Sequence, residues 1–222
     1  MELPIEKKLS DNVQIEMARL QDACMEAVYS LDQNAVLHGG TAIWRCYGGN
    51  RFSDDIDLYI RTDKEIAAIR NNLVFALNKY DITIAKTTTI ERSSIFTIRK
   101  DAVQIKLEAG KNRNRLLPIE KNYEKANGTY MSILTLSPEN FIFEKIEAYK
   151  SRRYVRDLYD IYHLANIARK GTRLSSAVCE FLDGAEKPVD ESNLTSIVYS
   201  GATPSFEGMV NSIKGHFCEV HR

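Results

Sequence analysis

The chain has 222 residues, enough for one large domain or two small ones sharing a core. Hydrophobic residues make up 44% and charged residues 27%, an ordinary globular mix, and no apolar run approaches the roughly 18 residues that span a bilayer, so no membrane partner is expected. The 30 basic and 30 acidic residues cancel, and global charge does not announce a nucleic-acid binder.

In chain order, Met1 to Lys8 has no apolar core of the signal-peptide kind, and a cytosolic protein is expected. Residues 10–31 read as a helix capped by Ser10 or Asp11, with Ile15, Ala18, Leu20, Ala23, Ala27 and Leu31 forming its apolar face. Ala35 to His38 reads as a short buried strand. Gly39-Gly40 is then a sharp turn, and a helix from Thr41 to Tyr47 ends at Gly48-Gly49-Asn50. The next segment alternates. Ile56, Leu58 and Ile60 point one way, and Ser53, Asp55, Asp57 and Tyr59 point the other, as on a strand with one buried face. Trp44 and Phe52 beside it are expected in the core.

Residues 63–79 form an expected helix with Ile66, Ile69, Leu73 and Leu77 inward, followed by strands near 81–87, 93–99 and 102–109. In the last of these, Val103, Ile105 and Leu107 alternate with Gln104, Lys106 and Glu108. Ser137-Pro138-Glu139 is a helix start: a cap, a first-turn proline, and a carboxylate at the positive dipole end. Helices over 138–150 and 154–169 follow, then a mostly helical region past Gly171 with a looser stretch at 183–205. Cys24, Cys46, Cys179 and Cys218 form no CxxC pair and are expected as free thiols; His38, His163, His216 and His221 show no zinc spacing.

The chemistry concentrates in Gly39-Gly40-Thr41 and Ser53-Asp54-Asp55-Ile56-Asp57. Alternate strand residues lie about 6.6 Å apart on one face. Their carboxylates can converge on a pair of metal ions roughly 3.5–4 Å apart. Magnesium takes a few carboxylates and shares its other positions with water and substrate phosphates. A Gly-Gly turn at a helix start lets a phosphate approach free backbone N–H groups, and Thr41 can add a hydroxyl. A calcium loop is excluded, because no glycine occupies the sixth position counted from Asp55. A DxD also serves glycosyltransferases, but the Gly-Gly-helix element ahead of it argues against that class.

His38-Gly39-Gly40-Thr41-Ala42-Ile43 followed by Arg51-Phe52-Ser53-Asp54-Asp55-Ile56-Asp57-Leu58 resembles the AbiEii/AbiGii toxin family, nucleotidyltransferases that share a fold with DNA polymerase beta. Glu144-Lys145-Ile146-Glu147-Ala148 and Arg156-Asp157-Leu158-Tyr159-Asp160 are similar to that family's lysine and Arg-Asp-x-x-Asp motifs; the last 50 residues match nothing. The resemblance implies an α/β (α+β) fold with a nucleotidyltransferase-type mixed sheet flanked by helices and a mainly helical C-terminal half. Residues 1–130 would be the core, and 131–222 a helical region completing the active-site cleft.

By the same resemblance, Asp55 and Asp57 hold magnesium, or manganese. Gly39, Gly40, Thr41, Ser53 and Lys145 serve the nucleotide phosphates, with Ser53 alternatively bracing the loop. Asp157 or Asp160 acts as ligand, orienter or base, and Glu108 is the candidate general base. The implied activity is nucleotidyl transfer from a nucleoside triphosphate to a hydroxyl, with a tRNA 3′ end as the acceptor and a separately encoded antitoxin as the partner. The rival readings are nucleotidylation of a protein and a non-catalytic nucleotide-binding module.

Lys145 and Asp160 are fifteen residues apart. On one straight helix that is about 22 Å, so both can serve one nucleotide only if the helix breaks between 150 and 155, with Ser151 as a second cap. Two basic stretches, Lys111, Arg113, Arg115, Lys121 and Lys125, and Lys145, Lys150, Arg152, Arg153 and Arg156, are candidates for guiding RNA, with Tyr123 and Tyr130 available for stacking. A plainer reading of Arg156-Asp157 is a surface ion pair.

Overall fold

A computed structural model describes residues 3–60, 63–90, 93–112 and 116–218, the side chains of 63–70 aside. Arg113, Arg115, His221 and the side chains of Ile66 and Ile69 lie outside the described residues. The chain divides into two compact units. The first comprises Met1–Gly48 and Phe52–Leu136, the second Gly49–Arg51 and Ser137–Arg222.

In the first unit, α1 (Ile5–Lys8) and α2 (Asn12–Leu31) precede β1 (Val36–His38) and α3 (Gly39–Tyr47). Then come β2 (Ile56–Ile60), α4 (Asp63–Asn78), β3 (Thr83–Ile90), β4 (Ser93–Lys100), β5 (Val103–Lys111), β6 (Ile119–Glu124) and β7 (Tyr130–Thr135). The strands form one mixed sheet in the order β3-β4-β5-β2-β1-β7-β6. β2 runs parallel to β5, and β1 parallel to β7.

The sheet's apolar face carries Leu37, Ile56, Leu58, Phe96, Ile105 and Leu107, each no more than 2% exposed. α2 and α4 pack over it. Asp11 caps α2 by accepting from the Val13 N–H at 2.8 Å. The apolar face of α2 runs through Leu20, Cys24, Met25 and Val28, and Leu31 is exposed rather than inward, because the helix ends there. β6 and β7 occupy chain to which the sequence reading assigns no element, and β7 carries the first unit to Leu136 by pairing with β1.

The second unit is helical: α5 (Pro138–Arg152), α6 (Val155–Ala165), α7 (Thr172–Asp183), a 3-10 turn (Glu191–Asn193), α8 (Leu194–Ile197) and α9 (Phe206–Phe217). Ser137 caps α5, accepting from the Asn140 N–H, with Pro138 in the first turn. The expected break follows Arg152. Arg153 takes the left-handed conformation (φ 52°) and closes α5. Ser151 is not the second cap, since it still belongs to α5; the Asp190 carboxylate accepts the Val155 N–H at 2.7 Å instead.

α7 and α9 pack together, bringing Cys179 and Cys218 to a Cα separation of 5.7 Å. They form a disulfide, so the free-thiol expectation fails for this pair and holds for Cys24 and Cys46. Spacing alone does not reveal it, because the partners are 39 residues apart. Among the described residues no helix is long and apolar enough to cross a membrane.

Candidate active site

The first unit builds its acidic site around one close approach. β2 alternates as expected: Ile56, Leu58 and Ile60 are buried, and Asp57 and Tyr59 are half-exposed on the opposite face. Asp55 precedes the strand by one residue and is also half-exposed. Gly39 begins α3 with φ +73°, and a Cβ built on it would lie 2.1 Å from Asp57 Oδ2. The missing side chain is what admits the Asp57 carboxylate beside the first residue of α3, where the helix dipole favours negative charge.

On its Cα side Gly39 is covered by the Asp57 carboxylate. Gly40 and Thr41 are buried. The Thr41 hydroxyl donates to the Asp55 carbonyl at 2.5 Å and so ties α3 to the segment carrying the aspartates. Ser53 is also buried, and its carbonyl accepts from Gln21 Nε2 at 2.8 Å, which fixes the same loop from α2.

Register places further groups on the Asp57 face. Asp57 pairs with Glu108 across the parallel β2–β5 ladder and with His38 across β1. Side chains directly paired across a ladder stand on one face, their Cβ atoms about 5 Å apart. Glu108 is exposed, and His38 stacks on Tyr59 with ring centroids 3.6 Å apart and planes within 9°. Among the described residues, no three His, Cys, Asp or Glu side chains are arranged as a ligand set for a metal ion. Asp55 and Asp57 nevertheless fit magnesium in chemistry: they are half-exposed hard oxygen donors at the start of β2, and magnesium takes one or two carboxylates and fills its remaining positions with water and phosphate oxygens.

The second unit holds a different acidic pair. Asp157 and Asp160 are a helical turn apart on α6 and at most 1% exposed. Arg51 grips Asp160 with two parallel bonds, Nε to Oδ1 at 2.6 Å and Nη2 to Oδ2 at 2.7 Å. Arg152 grips Asp157 the same way at 2.8 Å for both bonds. The Lys145 ammonium lies between, 2.7 Å from Asp160 and 3.4 Å from Asp157. Burial would raise the Asp160 carboxyl, but Arg51 and Lys145 outweigh it and hold the group below its ordinary value of 3.8. Three cations face two carboxylates here. The carboxylate oxygens are occupied by guanidinium and ammonium groups, which leaves them fixing Lys145 rather than open to an ion. Asp157 is no surface ion pair, and its partner is Arg152, not Arg156.

Arg51 and Arg152 are the residues that sequence reasoning missed as parts of this cluster. Arg152 stands in a basic stretch, and Arg51 is 109 residues from its partner, with no local signal for the pairing.

Among the described residues, several members of the two basic stretches have partners within the fold. Lys125 pairs with Glu26, Lys150 with Glu147 and Arg153 with Glu186. Lys121 lies over the Tyr47 ring at 5.1 Å. Tyr123 is not available for stacking. It is fully buried, donates to Asp22 Oδ1 at 3.0 Å, and burial pushes its phenol well up. Tyr130 is 62% exposed. Trp44 is buried as expected, with half-buried Phe52 at 5.0 Å between ring centroids.

A family model described as the nucleotidyl transferase AbiEii toxin of type IV toxin–antitoxin systems matches residues 24–204. MenT4, a nucleotidyltransferase toxin from Mycobacterium tuberculosis, is similar in structure with a TM-score of 0.61 at 16% identity, over 96% of this chain and 86% of that one. JHP933 from Helicobacter pylori gives 0.63 at 20% identity, over 93% and 90%. At these identities the likeness is one of fold. No curated protein sequence matches the chain. The family match spans the strand–turn–helix, the paired aspartates and the lysine cluster together, and by it the chain belongs to the AbiEii nucleotidyltransferase toxin family of type IV toxin–antitoxin systems.

Proposed function

We propose that this nucleotidyltransferase transfers a nucleoside monophosphate from a triphosphate to the terminal hydroxyl of an RNA, a tRNA 3′ end, and that a cognate antitoxin restrains it. The carrying observation is the accommodation of Asp57 at the start of α3, where Gly39 leaves room for its carboxylate beside the Asp55 segment that Thr41 and Gln21 brace. Asp55 and Asp57 would hold magnesium, which supplies positive charge to the triphosphate and to the oxygens that attack and leave.

The chain's own groups do the rest. Gly39 presents backbone to the triphosphate, and Ser53 keeps the aspartate segment in register. Glu108, exposed on the Asp57 face, takes the proton of the acceptor hydroxyl as its oxygen attacks the α-phosphorus and pyrophosphate leaves. Lys145 neutralises triphosphate charge, with Asp157 and Asp160 orienting its ammonium.

The test supplies each of four α-labelled triphosphates with magnesium to total RNA and total protein, with Asp57→Ala beside the wild type. Label in a tRNA-sized band that the variant loses by about 10³-fold, the several kcal/mol such charge stabilisation supplies, is the expected result. Label in protein would replace the acceptor. Equal labelling by Asp57→Ala would remove Asp57 from the chemistry.

A further inference from the structure

The sheet's open face carries a cationic track that ends at the carboxylates. β3, β4 and β5 together hold five basic residues (Lys86, Arg99, Lys100, Lys106, Lys111) and one acidic residue, Glu108, in a chain whose charges balance overall. Strand register sorts them. Lys86 pairs with Thr97, and Thr97 with Lys106, so the two lysines flank one position of β4 on one face, about 10 Å apart across two strand spacings. Arg99 lies two residues from Thr97 on that face, about 7 Å further along.

The adjacent row, Thr88–Ile95–Glu108–Asp57, belongs to the same face. Lys106 is therefore one row from Glu108 and on the diagonal from Asp57. Lys86, Arg99 and Lys106 are exposed, and among the described residues none of them makes an ion pair.

A lysine on an edge strand has a plain explanation, since it discourages edge-to-edge pairing. That covers Lys86 on β3. It does not cover Arg99 or Lys106, because β4 and β5 are paired on both sides. Besides the cations, the same face of β3–β5 presents Thr and Gln side chains with Ile90 and Ile95, and no aromatic one. It lacks the aromatic anchor typical of a protein interface, and offers what a phosphodiester backbone takes: separated cations among hydroxyl and amide donors.

We propose that this face of β3–β5 is the docking surface for the acceptor RNA. Its backbone phosphates lie on Lys86, Arg99 and Lys106, and its terminal hydroxyl reaches the Glu108–Asp57 row. The inference rests on the transferase reading and says where its acceptor sits. The contacts are to phosphates, so binding is independent of base sequence and strongly salt-dependent.

The experiment compares wild type with the triple variant Lys86→Gln, Arg99→Gln, Lys106→Gln. A short fluorescein-labelled single-stranded RNA with a free 3′ hydroxyl is titrated by anisotropy at several salt concentrations. Three lost phosphate contacts lower the slope of log affinity against log salt by about two. The KM for RNA rises, while the KM for the triphosphate and kcat at saturating RNA hold. A triple variant that keeps the wild-type slope and affinity overturns the surface and leaves the transferase reading standing, provided Asp57→Ala still abolishes transfer. A wild type that labels protein and binds this RNA with no salt dependence also overturns it. If the slope falls in the triple variant but Asp57→Ala transfers normally, the surface holds and the assignment of the chemistry to Asp57 fails.

Discussion

Two aspartate pairs sit in this protein, and they have opposite environments. Asp55 and Asp57 come from a strand and its approach, two residues apart and half-exposed. Asp157 and Asp160 come from a helix, three residues apart and buried under Arg51, Arg152 and Lys145. A half-exposed carboxylate keeps part of its hydration and can stay charged without a fixed cation. One that is enclosed must carry its cations with it from the start, because an uncompensated buried charge costs several kcal/mol. The family's motifs contain both pairs, and the resemblance gives metal to Asp55 and Asp57 while leaving Asp157 or Asp160 as ligand, orienter or base. The structure divides them into a half-exposed pair and a buried pair whose cations come from the fold itself.

The largest expected effect tests that division through stability. Asp160→Ala leaves Arg51 and Lys145 enclosed without their shared carboxylate, and is expected to cost about 3–5 kcal/mol in urea denaturation. Asp57→Asn removes one charge at a half-exposed position beside the start of α3 and is expected to cost about 1 kcal/mol or less while abolishing transfer. Similar losses of stability in both variants would erase the distinction between the pairs.

Two glycines sharpen the comparison on the exposed side. Gly39 and Gly48 both have positive φ, +73° and +64°. An alanine at either pays about 1–2 kcal/mol for the left-handed backbone. At Gly48 the new Cβ meets nothing within 4 Å, whereas at Gly39 it meets Asp57 Oδ2 at 2.1 Å and drives the carboxylate away. Gly39→Ala should therefore lose about 10²-fold in transfer, the cost of displacing a reacting group by about an ångström, while Gly48→Ala loses stability alone. Equal activities in the two variants would mean that the position of Asp57 does not matter to the reaction.

What could be read from sequence was what neighbouring residues decide. Alternation exposed β2 and β5, Asp11 and Ser137 announced their helices, and the need for a break between Lys145 and Asp160 located the end of α5 to within a few residues. β6 escaped because Ile119–Glu124 buries only Tyr123, and a polar edge strand has no alternation to read. β7 was missed along with it. The candidate site was legible as residues and not as a network. Thr41, Ser53 and Lys145 were visible as polar groups near a motif, but whether a hydroxyl faces a ligand or its own backbone depends on contacts made across the fold. Thr41 bonds Asp55, Gln21 bonds Ser53, and Arg51 bonds Asp160; such pairings leave no periodicity behind.

The smallest effect concerns acid. The Asp160 carboxyl is held below its ordinary value by Arg51 and Lys145 against the opposing pull of burial. A group whose folded value is depressed stabilises the protein fully above its unfolded value, and that stability is lost as pH falls through the folded one, because the unfolded chain binds the proton first. Between about pH 5 and pH 2 the wild type should lose stability with an added slope of at most one proton, about 1.4 kcal/mol per pH unit. Asp160→Asn, less stable at every pH, should show a shallower acid limb, since it has no proton to take up at that position. Urea midpoints across that range measure the slope separately from the offset. Parallel limbs would mean that Asp160 titrates alike in the folded and unfolded chains, and that Arg51 and Lys145 exert no net electrostatic hold on it.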